Sequence, residues 1–281
     1  MKTASRYWAD LSARDFAALQ ASGAAVRTIA VLPVAATEQH GPHLPLSVDT
    51  VLVDGIVAAA VSHLDAALPV LFLPTQAVGL SVEHARFGGT LTLKNETILR
   101  LWSDIGESVA AAGVKKLLIF NTHGGNVGVM DLVARDLRAR LDMLVYSASW
   151  FNLPLYDEHE QDVSALFDAS EHRFGIHAGD IETSMMLALD AKHVAMQHAQ
   201  DFDSTSRQRA ERFAILGNGK SAKLGWQMQD INPAGAAGNA SAASADKGRA
   251  VVAAAGRALA RLLAEIDQLP PETLVARPSQ D

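Results

Sequence analysis

Four short apolar runs, the first three followed by helical periodicity, constrain this chain more than any other feature. They are 27–36 (RTIAVLPVAA), 68–74 (LPVLFLP), 114–121 (VKKLLIFN) and 143–149 (MLVYSAS). Runs without polar alternation suit strands buried on both faces. The first three are followed by helical patterns: 50–64, a stretch from Thr92 or Asn95 to about 112, and 127–141. Asp49 precedes the first of these at an N-cap position. Strand–helix alternation predicts right-handed crossovers and a mostly parallel sheet with helices on both sides, an α/β fold. Sheets of this kind bind ligands beyond the carboxyl ends of their strands.

A chain of 281 residues, 49% of them hydrophobic, can bury a sizeable core, and we read 1–281 as one domain. A helical start covers 1–25, with Leu11, Phe16 and Leu19 on one stripe, and a last helix covers 245–269. Pro270-Pro271 stops that helix and leaves 271–281 as a frayed tail. Residues 200–245 are rich in Gly, Ala, Ser and Asn, which fits either disorder or an extended arm packed on a neighbouring subunit. The net charge of −7 argues against nucleic-acid or anionic-membrane partners. No apolar run reaches membrane-spanning length, and the N-terminal stretch lacks the apolar core of a signal peptide, so the expected location is cytoplasmic. With no cysteine, any metal must be held by His, Asp and Glu.

Such residues gather where the predicted strands end. Glu38 and His40 follow the first strand and, two apart on extended backbone, point to one side. Asp49 lies a few residues on, and His123 ends the third strand. A lone strand-end histidine is ordinarily a hydrogen-bonded structural residue, and an Asp at a helix start is ordinarily a cap. Convergence of two carboxylates and two imidazoles on one sheet edge is what suits a divalent metal. Gly124-Gly125 either admits a ligand close to the backbone or makes a tight turn; Gly88-Gly89-Thr90 allows the same two readings. No G-x-G-x-x-G or P-loop follows the first strand, and Ser81 and Ser184 lack a G-x-S-x-G elbow.

The chain resembles the creatininase (creatinine amidohydrolase) family. The resemblance rests on LPVAATEQHGPHLPLSVD, SVEHARFGGTLTL, NTHGGN and HAGDIETSMML, with NPAGAAGNASAASADKG as a weaker late segment, and these run in family order from about 31 to 250. It implies a three-layer α/β/α sandwich with a metal pair at the carboxyl edge of the sheet. It also implies hydrolysis of a C–N amide bond, cyclic or formamide in type and other than a peptide bond, by a metal-activated hydroxide. Carried over, Glu38 and His123 hold one metal, His40 the other, and Asp49 bridges them; His177 matches the catalytic histidine and Glu182 the acid of an E-T-S motif. Creatininase carries a glutamate ligand where this chain has Gly125, and we infer that Glu182 completes the second metal's shell instead.

The implied cofactor is two divalent ions per subunit, zinc with manganese or iron, and the implied state is a homo-oligomer, a hexamer being one option. His177 is placed to move a proton to the leaving nitrogen. Asn126, Gly89, Thr90 and Trp150 are the substrate-binding candidates, Phe151 and Phe174 further candidate walls, and His43 a candidate support for the ligands. The alternatives are a lactone or sugar-ring hydrolase, a peptide-maturation peptidase, or a binding protein without catalysis.

Overall fold

In the computed structural model, which describes residues 5–275, the strands are β1 (Ile29–Val34), β2 (Val70–Phe72), β3 (Lys116–Asn121) and β4 (Leu144–Ser149). All four are parallel, in the order β2-β1-β3-β4. The longer helices are α1 (Ala13–Ala21), α2 (Val48–Val61), α3 (Asn95–Ala111) and α4 (Val127–Leu141). After them come α5 (Ala169–Phe174), α6 (Asp180–Leu189), a ribbon strand β5 (Asp201–Phe202), α7 (Thr205–Arg212) and α8 (Met228–Ile231). The second ribbon strand, β6 (Gly238–Asn239), leads to α9 (Ala245–Gln268).

Burial on both faces of β1 explains its unbroken apolar sequence. Ile29 and Val31 join the core beneath α2, α6 and α9, whereas Ala30, Leu32 and Val34 join the core beneath α3 and α4. That partition is the α/β/α sandwich. Pro33 sits in a central strand without harm. Odd-numbered N–H groups of β1 point towards β2, and β2 has ended at Phe72, so the missing donor falls in a gap in the ladder. On one side, Gly106 of α3 lets Leu137 of α4 approach closely. On the other, α9 packs on both α2 and α6, with Gly248 against the Ser184 backbone and Gly256 against Ala59.

Two expected caps are absent. The N-cap of α2 is Ser47 and Asp49 lies inside the first turn, which frees its carboxylate to face the sheet edge. The N-cap of α3 is Lys94, so neither Thr92 nor Asn95 has that role. Within 200–245, residues 236, 237 and 240 are fully buried alanines, and Ala237 exchanges backbone hydrogen bonds with His177 at 3.3 and 2.8 Å. Small side chains let this segment lie against the His177 loop. Pro271–Thr273 form a 3-10 turn, and residues 276–281 of the expected tail lie outside the described residues. Among the described residues no helix is long and apolar enough to cross a membrane.

Candidate metal centre

Parallel strands deliver their following loops to one edge, so Glu38 and His40 after β1 meet His123 after β3. Asp49 enters from the first turn of α2, His177 from the loop before α6, and Glu182 from the first turn of α6. Glu38, His40 and Asp49 are each 1% exposed. Three sets of ligand-type atoms lie within 4.8 Å of one another: Glu38, Asp49 and His123; His40, Asp49 and Glu182; and Glu38, His40 and His177.

Hydrogen bonds fix which imidazole nitrogen each histidine offers. His40 Nδ1–H donates to Glu38 O at 3.0 Å, leaving Nε2 to face the cluster. His123 Nε2–H donates to Leu80 O at 2.9 Å, and its Nδ1 lies 3.2 Å from Glu38 Oε1 and 3.7 Å from Asp49 Oδ2. His177 Nε2–H donates to Gln39 O at 2.8 Å, which leaves Nδ1 facing Glu38 Oε1 at 3.9 Å. A donor on one nitrogen orients the ring and exposes the other as a ligand or base. Glu38 Oε2, His40 Nε2 and Asp49 Oδ2 are fully buried and have no hydrogen-bond partner among the described residues.

The electrostatics match a site waiting for cations. Burial pushes the Asp49 carboxyl well up, and neighbouring Glu38 adds to it; burial likewise raises Glu83 and Glu182. Burial opposes charge on Glu38 and on His123, yet their mutual attraction prevails: Glu38 falls well below the usual carboxylate range and His123 rises to about 10. A proton on His123 thus partly neutralises the cluster where a metal ion would do so. Burial, then the neighbouring His40, holds His177 down at about 4, so it is a neutral base at neutral pH. Ala178, next to it, is fully buried at φ 54, a left-handed conformation that a non-glycine residue adopts only under tertiary constraint.

Of the substrate-binding candidates, only Trp150 lines the cavity at the cluster. Asn126 is fully buried and spent on structure: Oδ1 accepts from Leu80 N, while Nδ2 donates to Ala35 O and Asn121 Oδ1. Thr90 props the ligand loop by accepting from Gln39 N at 3.1 Å, and Gly89 packs against Leu46. Phe151 lines the cavity, whereas Phe174 lies elsewhere, beneath the guanidinium groups of Arg173 and Arg207. His43 supports the site indirectly, bonded to Thr183 of α6 at 2.9 Å.

Glu83 and His84 escaped the sequence reading. His84 Nε2 lies 3.4 Å from Glu38 Oε1, and Glu83 Oε1 lies 3.6 Å from His123 Nε2. The signal was available: β2 is parallel to β1, so the loop after it must emerge at the same edge. Glu83 also crowds the space that a side chain at Gly125 would enter.

The cavity has a volume of about 630 Å³ and runs from Glu38, Asp49 and His123 past Trp150 and Leu155 to Val251. Its walls include Phe167, Ile176 and Ile181, and among the described residues neither Lys nor Arg lines it.

The family model described as creatinine amidohydrolase matches residues 9–263. A mycofactocin precursor peptide peptidase of Mycobacterium tuberculosis is 40% identical over 115 residues, which is 39% of this chain and 45% of that relative's length. The chain therefore spans less than half of that protein. The peptidase of the same description from Mycobacterium ulcerans is 30% identical over 228 residues, 79% of each chain. The manganese form of creatininase superposes with a TM-score of 0.73 at 23% identity, covering 94% of this chain and 100% of that one, a likeness that bears on the fold. The family match spans the sheet, the loops carrying Glu38, His40 and His123, and most of α9, and this chain belongs to the creatininase family of hydrolases.

Proposed function

We propose that this hydrolase is a binuclear metal-dependent amidohydrolase that cleaves a C–N bond in an uncharged amide carrying an apolar group. The observation that carries the reading is that three buried atoms of the cluster, Glu38 Oε2, His40 Nε2 and Asp49 Oδ2, have no hydrogen-bond partner among the described residues. An unpaired buried carboxylate costs several kcal/mol, on the order of 3–5 when a partner is removed, and cations relieve that cost. The donor set fits two of them. Glu38, Asp49 and His123 would hold one and His40, Asp49 and Glu182 the other, with Asp49 common to both. Oxygen and imidazole ligands suit zinc, manganese or iron. When bound, such ions supply Lewis-acid polarisation of the scissile carbonyl and an acidified water.

The chain's own residues do the rest. His177 presents an unprotonated Nδ1 to the cluster, so it takes a proton from the attacking water and returns it to the departing nitrogen. Its Nε2–H, anchored on Gln39 O, holds the ring in place during the transfer. Trp150, Phe167 and Ile181 line the approach and displace water from it. A cavity lined by carboxylates without Lys or Arg disfavours anionic substrates.

A second reading, cleavage at a peptide terminus, is favoured by the size of the cavity and by the peptidase relatives. About 630 Å³ lies in the range of roughly 300–1,000 Å³ that takes drug-sized ligands. A homo-oligomeric state is part of the proposal, checked by light scattering of the eluting protein. Elemental analysis of purified protein, paired with formamides, lactams, lactones and short peptides, tests the whole. Stoichiometric metal with amide turnover is expected. Metal-free protein that turns over an amide, or metal-loaded protein that turns over only lactones, would overturn it.

A further inference from the structure

His84 and Gln39 are buried at the cluster, and the reaction as described uses neither side chain. Their hydrogen bonds form a directed relay. Gly41 N–H donates to Gln39 Oε1 at 3.0 Å, which fixes the amide so that Nε2 is the opposite end. Gln39 Nε2 lies 2.7 Å from His84 Nδ1. An amide nitrogen only donates, so His84 Nδ1 must accept and the ring hydrogen must sit on Nε2. That Nε2–H points at Glu38 Oε1, 3.4 Å away. Protonated there, His84 is a donor to the cluster and not a ligand.

The relay distinguishes the two oxygens of Glu38. Oε1 faces donors from His84 and His123, whereas Oε2 is buried with no partner. Since His123 Nδ1 is itself offered to a metal, His84 is the donor that Oε1 keeps when His123 is engaged. Aromatic neighbours clamp the His84 ring in this orientation. It stacks on His177 at 4.3 Å and 30°, and meets the edge of Trp226 at 6.2 Å and 82°. Gly235, at φ 82, makes room for the relay, because a Cβ there would collide with Gln39 Oε1.

We infer that His84, its tautomer set by Gln39, is a positioning residue that holds Glu38 Oε1 and presents Oε2 to a divalent cation. The inference rests on the metal-site reading above. Histidine ¹⁵N shifts of the zinc-loaded protein test the tautomer directly, with the His84 signal assigned by its loss in His84→Gln. Nδ1 is expected unprotonated and Nε2 protonated; the opposite tautomer or a doubly protonated ring would overturn the inference. Zinc affinity, measured by chelator competition, is the second readout. His84→Leu and Gln39→Met should each weaken it about 10–100-fold. His84→Gln, which returns an N–H donor near the Nε2 position, should recover most of the loss. If His84→Leu fails to fold, Gln39→Met and the wild-type spectrum still decide. Wild-type protein that binds no stoichiometric zinc defeats both readings. Tight binding by wild type and by both loss variants defeats this one alone.

Discussion

Replacing Gly125 by Ala probes how His123 is held. The position has no left-handed φ, so the backbone accepts alanine. Space is the obstacle: a Cβ there would run into Leu80 O, Glu83 Oε1 and His123 Nε2. The Glu83 end can swing aside, but Leu80 O is backbone and accepts the bond from His123 Nε2–H at 2.9 Å. The methyl therefore wedges into the bond that orients His123. Breaking it leaves a buried donor and acceptor unmatched, at about 1–3 kcal/mol. At 1.4 kcal/mol per tenfold, that is roughly a 5- to 150-fold loss of metal affinity. Chelator competition on zinc-reconstituted protein reads the affinity, and melting with and without metal reads the stability. The gap between loaded and metal-free melting temperatures should narrow. Wild-type affinity together with an unchanged gap would refute the reasoning, because the wedge would then have no effect on His123.

Four further outcomes are expected. His177→Ala should keep its metal by elemental analysis and lose about 10²–10⁴ in kcat; loss of metal would instead make His177 a ligand in the set with Glu38 and His40. In metal-free protein, burial depresses His43 and His177 to about 4, against 6.5 in an unfolded chain. Between pH 6.5 and 4 the unfolded chain binds more protons, so these groups lower stability as pH falls through that window; an unchanged urea midpoint from pH 7 to 5 would refute this. His123 works in the other direction: burial opposes its charge, but Glu38 raises it to about 10, so its contribution is complete below pH 6.5 and fades as pH approaches 10. Metal loading should flatten that alkaline arm, which melting curves at pH 7 and 9.5 would show. Finally, kcat/KM should favour a neutral amide over its carboxylate-bearing analogue by tenfold or more, since the cavity offers no Lys or Arg partner; equal rates would refute it.

The sheet was legible because β1 and β3 are buried on both faces and their apolar runs show it. Strand order then brought Glu38, His40 and His123 to one edge, and that part of the site follows from local pattern alone. Asp49 was placed at the sheet edge as a candidate ligand, but its expected N-cap role falls to Ser47, since spacing cannot tell an N-cap from a first-turn residue facing inward. Glu182 depended on the family resemblance, because nothing local ties a residue of α6 to β1. His84 sits in a 3-10 turn without periodicity, so only its place after β2 and the motif that contains it pointed to this edge. Within 200–245 the order was hidden for a physical reason: burial there includes Ala236, Ala237 and Ala240, whose small size permits close backbone packing while keeping hydropathy low.

The brace formed by α9 has a consequence for biosynthesis. Asp49 and Glu182 project from α2 and α6, and the helix that packs across both spans Ala245–Gln268. Its glycines at 248 and 256 set how closely each neighbour can sit. Translation therefore delivers Glu38, His40, Asp49 and His123 long before the element that fixes the spacing of the remaining ligand. If the cluster holds metal as proposed, its acquisition would be completed only when the last helix emerges from the ribosome. A nascent chain stalled before residue 245 would carry every proposed ligand without the geometry to keep an ion.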